Sequence, residues 1–320
     1  MTRIVYSLLL LATLLAGCAR SDFPSRLSSG NLNFIVASDM GKRGVSEQKN
    51  IAEVMGQIAK QNKIDFLAVA GDPIHDDGVK SVEDDEWKLK IENVYTAPSL
   101  YSIPWYVIPG NHEYRGIVQA IMDYSQKSKR WNAPARYYTI EKDIGKSGQK
   151  ALFVFIDTTP LIDKYRNSDE YSDAGKQSFE QQLHWLDSVL VVSNDRWKIV
   201  IGHHPVYAYT EKDEDERTDM QKRVGVILEN RKADFYICGH IHNFQYIKPQ
   251  GCNVNYVVNS SASQSRPVKK TDGTVFCNPD PGFTIFSIGN KTCAFSFINH
   301  RGENVYNYTV SKGVVPIFPI

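Results

Sequence analysis

Neither sign of charge dominates this chain. Its 37 lysines and arginines stand against 36 aspartates and glutamates, for a net charge of +1. A surface built to grip a phosphate backbone carries a basic excess, so nucleic acid is not an expected partner. Thiols are scarce as well. Five cysteines in 320 residues are too few for a disulfide scaffold, and they lack the paired spacing of a zinc ribbon. Cys238 and Cys293 sit in apolar strand patterns, as core residues do. Cys252 and Cys277 flank a loop-rich stretch and suit a bridge in an oxidising compartment. No segment after residue 16 is apolar enough to cross a membrane. There is no internal repeat and no low-complexity block. What is present is a chain that is 42% hydrophobic, enough for a substantial core.

The first residues read as an export signal. Arg3 supplies a short positive region, and Tyr6 to Ala16 is apolar with small residues near its end, too short for a spanning helix. Leu15-Ala16-Gly17-Cys18 resembles the bacterial lipobox, in which cleavage leaves a lipidated cysteine at the new N-terminus. The expected layout is a signal peptide over 1–17, a lipid-anchored polar tether over 18–30, and a single domain over 31–320. The protein would then be exported to the cell envelope, periplasm or outer membrane, and held to a membrane through Cys18.

The folded part opens on apolar runs of strand length, each ending in a polar cluster. Leu32 to Ala37 runs into Ser38-Asp39, and 65–70 into Gly71-Asp72-Pro73-Ile74-His75-Asp76-Asp77. Trp105 to Pro109 is followed by Gly110-Asn111-His112-Glu113. Between the first two lies a helix with Ile51, Val54, Met55, Ile58 and Ala59 on one face. Trp87, Ile91 and Val94 suggest a second. That alternation predicts a parallel sheet with right-handed crossovers. Later come the strands Tyr137 to Ile140 and Ala151 to Ile156, and a long helix marked by Phe179, Leu183, Leu186 and Leu190. Trp197 to Ile201 ends in Gly202-His203-His204, and Asp234 to Cys238 ends in Gly239-His240-Ile241-His242. The charged run Glu211 to Arg217 reads as a solvated loop. With Asp76 and Asp77 it would give the site mouth an acidic rim that disfavours polyanions. The remainder is β-rich: 244–248, 254–259, 283–288, 293–298 and 304–310.

Six of the eight histidines fall at these strand ends: His75, His112, His203, His204, His240 and His242. Open α/β sheets bind ligands at the carboxyl ends of their strands. A buried polar group without a partner costs about 1–3 kcal/mol, so six imidazoles gathered with Asp39, Asp72 and Asn111 require something to hold. Mixed nitrogen and oxygen donors without thiolate suit zinc, iron or manganese. The donors are too many for one ion. Two ions sharing a carboxylate clamp the attacking and leaving oxygens of an in-line displacement. The residues therefore point to a binuclear hydrolase of phosphate esters.

In order, Asp39, Gly71-Asp72, Gly110-Asn111-His112-Glu113, Gly202-His203 and Gly239-His240-Ile241-His242 resemble the calcineurin-like metallophosphoesterases. Within them, Asp39 followed by Gly41, Tyr137-Tyr138 after Pro134, and His240 to Tyr246 are similar to the tartrate-resistant (purple) acid phosphatases. The resemblance implies a four-layer α/β/β/α sandwich with its metal site at strand C-termini. It implies that Asp39 and His242 bind a first metal, that Asp72 bridges, and that Asn111, His203 and His240 bind a second. His112 would contact the phosphoryl group, and His204 would assist catalysis or pack beside the site. The family has Gly-Asp-Asn-Phe-Tyr where this chain has Gly-Asp-Pro-Ile-His, so the ligand tyrosine is replaced by His75. The expected activity is acid phosphatase-like hydrolysis of small phosphomonoesters by direct attack of a metal-bound hydroxide. Two metal ions are expected, drawn from iron, zinc and manganese, with a mixed iron–zinc pair among the choices. The protein is expected to be a monomer. A phosphodiesterase or nucleotidase on the same scaffold, or a non-catalytic ligand-binding lipoprotein, are the alternatives.

Overall fold

The computed structural model describes residues 26–212 and 214–313. In chain order the strands are β1 (Leu32–Ala37), β2 (Phe66–Ala70), β3 (Trp105–Ile108), β4 (Trp131–Asn132), β5 (Tyr138–Asp143), β6 (Lys150–Phe155) and β7 (Trp197–Ile201). They continue as β8 (Phe235–Cys238), β9 (Phe244–Ile247), β10 (Asn255–Val258), β11 (Thr274–Asn278), β12 (Gly282–Ile288), β13 (Thr292–Asn299) and β14 (Asn304–Ser311). They form two mixed sheets of seven strands, ordered β14-β13-β12-β1-β2-β3-β4 and β11-β9-β10-β8-β7-β6-β5. In the first, β1, β2 and β3 run parallel. In the second, β6, β7, β8 and β10 do.

Strand periodicity of two sorts the core. On β1, Leu32, Phe34 and Val36 point between the sheets, with Phe153, Phe155, Phe235 and Phe286. Phe34 is stacked between Phe66 and Phe286, at ring-centroid distances of 4.8 and 4.9 Å. Ile35 and Ala37 point outward, into the cluster that holds Ile51, Met55 and Ile58 of helix α1 (Gln48–Gln61). On the other sheet, Leu152 and Val154 share a cluster with Leu186 and Leu190 of helix α2 (Phe179–Val192). The result is an α/β fold of two facing sheets with helices on both outer faces. Both sheets bury each of their central strands twice, which is why those strands read as unbroken apolar runs rather than alternating ones.

Three sequence readings are corrected. The helix expected around Trp87 to Val94 is present but short, helical over 86–92 with Lys88–Glu92 widened to a π-helix, and it ends before Val94. Trp87 is held by stacking on Tyr124 at 3.7 Å, and its indole N–H donates to the Ser81 carbonyl. Cys252 and Cys277 are free thiols, not a bridge. The charged run from Glu211 is no loop beyond 213. Helix α3 (Glu214–Met220) begins there, and continues through a wide turn, Gln221–Gly225, into Val226–Asn230. Among the described residues no helix is long and apolar enough to cross a membrane. The proposed signal peptide and Cys18 lie outside the described residues.

Candidate metal centre

The ends of five strands converge. Asp39 follows β1, Asp72 and His75 follow β2, and Asn111 and His112 follow β3. From the other sheet, His203 and His204 follow β7, and His240 and His242 follow β8. All nine are at the carboxyl ends of parallel strands, and all but His112 are buried. Asp39, Asp72, His240 and His242 have left-handed backbones, with φ of 52°, 51°, 72° and 57°. That conformation is costly for residues other than glycine, and all four stand among the candidate ligands at the strand ends.

Asp72 sits in the middle. Its Oδ2 is 3.1 Å from His203 Nε2, 3.4 Å from His75 Nε2 and 3.8 Å from His112 Nε2. On one side, His242 Nε2 lies 3.1 Å from Asp39 Oδ1. On the other, His203 Nε2 lies 3.3 Å from Asn111 Oδ1 and 3.2 Å from His240 Nδ1. Four groups of three ligand atoms, each within 4.8 Å of one another, can be drawn from this set: His203/His204/His240, Asp39/His75/His242, Asp72/His75/His112 and Asp39/Asp72/His203.

The loops are tightly tied. Glu113 accepts the N–H groups of Gly110 (2.7 Å) and Ile74 (3.0 Å), locking the β2 loop to the β3 loop. Burial and the nearby Asp72 charge push its carboxyl up to about 8. A Cβ at Gly110 would lie 2.2 Å from Asp72 Oδ1, so only glycine lets that carboxylate close on the loop. Ser261 and Ser263 both donate to the Asp39 carbonyl, at 2.8 Å. Thr158 Oγ1 accepts the backbone N–H groups of His203 and His204 and lies 2.7 Å from His204 Nδ1.

Charge is distributed unevenly. Burial works against the charged forms of Asp39 and Asp72. Even so, His242 holds Asp39, and His203 with His112 holds Asp72, far below the usual carboxylate range. His203 is pushed up to about 9, because Asp72 and Asp39 outweigh its burial. His240 and His204 go the other way, well below the ordinary imidazole value, chiefly through burial. Burial also lowers His112, which Asp72 partly offsets.

The donor set fits metal cations. Both ring nitrogens of His75 are buried without a hydrogen-bond partner, and Asp39 Oδ1 faces His242 without hydrogen-bond geometry. Orphaned imidazole nitrogens among two ionised carboxylates are the expected leavings of an N/O coordination sphere. Every residue singled out from sequence is part of this gathering. His75 points inward at Asp72 and Asp39 rather than lying at the rim.

Two residues escaped the sequence reading. Glu216, on the first turns of α3, is 3% exposed and reaches His240 Nε2 with its Oε2 at 2.9 Å. Lys212 brings its Nζ to 3.1 Å from the His240 carbonyl, and burial lowers its ammonium to about 8. The run from Glu211 is therefore not a uniformly acidic rim, because Glu216 and Lys212 turn inward. The overlooked signal was spacing: Glu216, Met220, Val224 and Leu228 recur every four residues and all are buried.

Two facing sheets whose strand ends pool imidazoles and carboxylates make a metal-dependent hydrolase of phosphoric esters. The chain belongs to the calcineurin-like phosphoesterase family, whose pattern matches residues 32–244. Purple acid phosphatase 4 of Arabidopsis thaliana is 33% identical over 296 residues, spanning 88% of this chain and 84% of that one. Tartrate-resistant acid phosphatase type 5 of Homo sapiens is 26% identical over 334 residues, 97% and 98% of the two chains. A solved structure described as GAP50, the anchor in the inner membrane complex of Plasmodium, superposes with a TM-score of 0.75. It is 22% identical and covers 89% of this chain and 90% of its own.

Proposed function

We propose that the protein is a phosphomonoesterase working through a pair of metal ions that share Asp72. The observation that carries this is the position of Asp72 Oδ2, within 3.4 Å of imidazoles on both sides. Asp39, His75 and His242 would hold one ion. Asn111, His203 and His240 would hold the other. When bound, such ions polarise the phosphoryl oxygens and lower the pKa of water to about 7.

The chain's own groups do the rest. His112 turns its Nδ1 to the Asp76 carbonyl, which fixes that nitrogen as the donor and leaves Nε2 facing the cluster. As imidazolium, a form favoured by acid pH, His112 would hand its Nε2 proton to the leaving oxygen. Thr158 fixes His204 as well. Both lone pairs of its hydroxyl are taken by backbone N–H groups, so the hydroxyl proton goes to His204 Nδ1. The His204 Nε2 then carries a proton with no hydrogen-bond partner, a donor that a phosphoryl oxygen would satisfy. No serine, cysteine or other covalent nucleophile takes part.

The purified protein should contain two equivalents of metal and hydrolyse monoesters faster than diesters across a panel at several pH values. Asp72→Asn should abolish both metal pairing and turnover. A preference for diesters or nucleotides would favour a phosphodiesterase or nucleotidase, and full metal occupancy without turnover a binding protein. We further propose that the protein is exported and tethered through acylated Cys18. Cys18→Ser should then release it to a soluble fraction.

A further inference from the structure

His240 and His203 face each other across the cluster, and each needs its far nitrogen fixed if the near one is to be a ligand. For His203 the anchor is the backbone, since Nδ1 lies 2.9 Å from the Ala70 carbonyl. For His240 the anchor is a carboxylate. Glu216 Oε2 is 2.9 Å from His240 Nε2. The other oxygen, Oε1, accepts from the Tyr165 hydroxyl at 2.8 Å and the Lys164 ammonium at 3.0 Å. A carboxylate so held can only accept, so Glu216 draws the His240 proton to Nε2 and leaves the lone pair on Nδ1, the nitrogen 3.2 Å from His203 Nε2; the Lys212 ammonium, 2.9 Å from Nε2 and 3.2 Å from Nδ1, is the competing neighbour. Nothing in the five strand-end motifs contains Glu216.

We propose that Glu216 is the positioning residue of the second metal site. It selects the His240 tautomer, raises the basicity of Nδ1, and places a negative charge one imidazole away from the ion. This rests on the metal-centre reading above. Carboxylates that receive the far N–H of a ligand histidine typically account for 10–100-fold in metal affinity. Tyr165 and Lys164 fix the carboxylate from the opposite side, so the 158–171 segment and α3 together determine how tightly that ion is held.

The test is the affinity of the metal-stripped, full chain for Zn2+, read by competition with a chromophoric chelator. Glu216→Gln keeps a side-chain oxygen of similar reach and removes the charge. It should weaken one of the two zinc sites about 10–100-fold and leave the other unchanged, with the melting temperature of the stripped protein preserved. Glu216→Asp should recover part of the loss, and it serves in place of the glutamine variant if that one does not fold. Equal zinc affinity in Glu216→Gln and the wild type overturns the inference alone. A wild-type chain that binds no zinc overturns the metal-centre reading and this inference with it. A loss of melting temperature in the stripped variant with unchanged zinc affinity shows a merely structural carboxylate, and also overturns the inference.

Discussion

Gly71 lies flush against the ring of His203: a Cβ built on it would stand 2.4 Å from the imidazole Nδ1. The His203 ring has nowhere to go, being fully buried and bound to the carbonyl of Ala70, the residue just before Gly71. Gly71 also has a φ of +81°, a left-handed backbone that strains any side chain. Gly71→Ala should therefore displace His203 and cost metal at the site it shares with Asn111 and His240 before it costs the whole fold. The expected result is a soluble protein with reduced metal content. A variant with full metal and full turnover would show that the loop relaxes at no cost.

Thr158 is a smaller wedge with a cleaner readout. Its hydroxyl accepts two buried backbone N–H groups, so Thr158→Val should cost about 1–3 kcal/mol, the usual cost of stranding buried donors. It also frees the His204 ring. Denaturant unfolding should register the loss of stability. Metal content should hold while kcat falls, because His204 no longer presents a fixed donor. Unchanged kcat would assign His204 to packing.

Asp157, two residues past the end of β6, gives the fold a pH signature of its own. Burial pushes its carboxyl from 3.8 up to about 7, against the opposing pull of Arg136 and the Tyr114 hydroxyl. A carboxyl whose pKa rises on folding adds stability that is fully present below its unfolded value and is lost as pH rises through the folded one. The contribution of Asp157 should thus decline between about pH 4 and pH 7. Asp157→Asn removes that slope. Urea unfolding at several pH values in this window should show a flatter profile for the variant, and parallel profiles would contradict the assignment.

Metal removal should destabilise as well as inactivate. An ion present at a hundred times its dissociation constant adds about 2.7 kcal/mol to the folded state. Chelation should therefore lower the melting temperature, and Zn2+ or Mn2+ should restore it. A melting temperature indifferent to chelator would remove the metals from the account of stability.

His75 decides the colour. Both of its ring nitrogens are without partners in a buried site, and its ring stands edge-on to His112 at 4.4 Å. In the purple acid phosphatases, a tyrosine phenolate at the corresponding motif position stabilises ferric iron and absorbs in the visible. Imidazole is neutral and suits zinc or ferrous iron better. The wild type should be colourless or weakly coloured, and His75→Tyr should gain a visible band when loaded with ferric iron. An intensely purple wild type would rule this out.

The site could be read so far from sequence because its chemistry is tied to strand ends. Doubly buried strands are apolar and short, so the first polar residues after them stand out, and Asp39, Asp72, Asn111, His203 and His240 were all visible on that ground. Glu216 was not, because its neighbours are charged and exposed, and composition there outweighs a four-residue spacing carried by one acid and three apolar residues. Strand β11, Thr274–Asn278, was missed for a related reason: it is a half-exposed edge paired only with β9, so no apolar run marks it. The helix over 86–92 carries Trp87 and Ile91 on one face as expected, but it widens at Lys88–Glu92 and stops short of Val94.

The left-handed backbones at Asp39, Asp72, His240 and His242 bear on how this chain can change over generations. Each such residue costs roughly 1–2 kcal/mol relative to an ordinary conformation, against a total stability of about 5–15 kcal/mol for a typical fold. Glycine at any of the four would relieve the backbone strain, but at Asp39 or Asp72 it would also strand the His240 or His112 N–H that the carboxylate accepts, at about 1–3 kcal/mol each. The strain is thus locked in place by the same carboxylates and imidazoles it displays, and single losses at these four positions leave it no cheap way out.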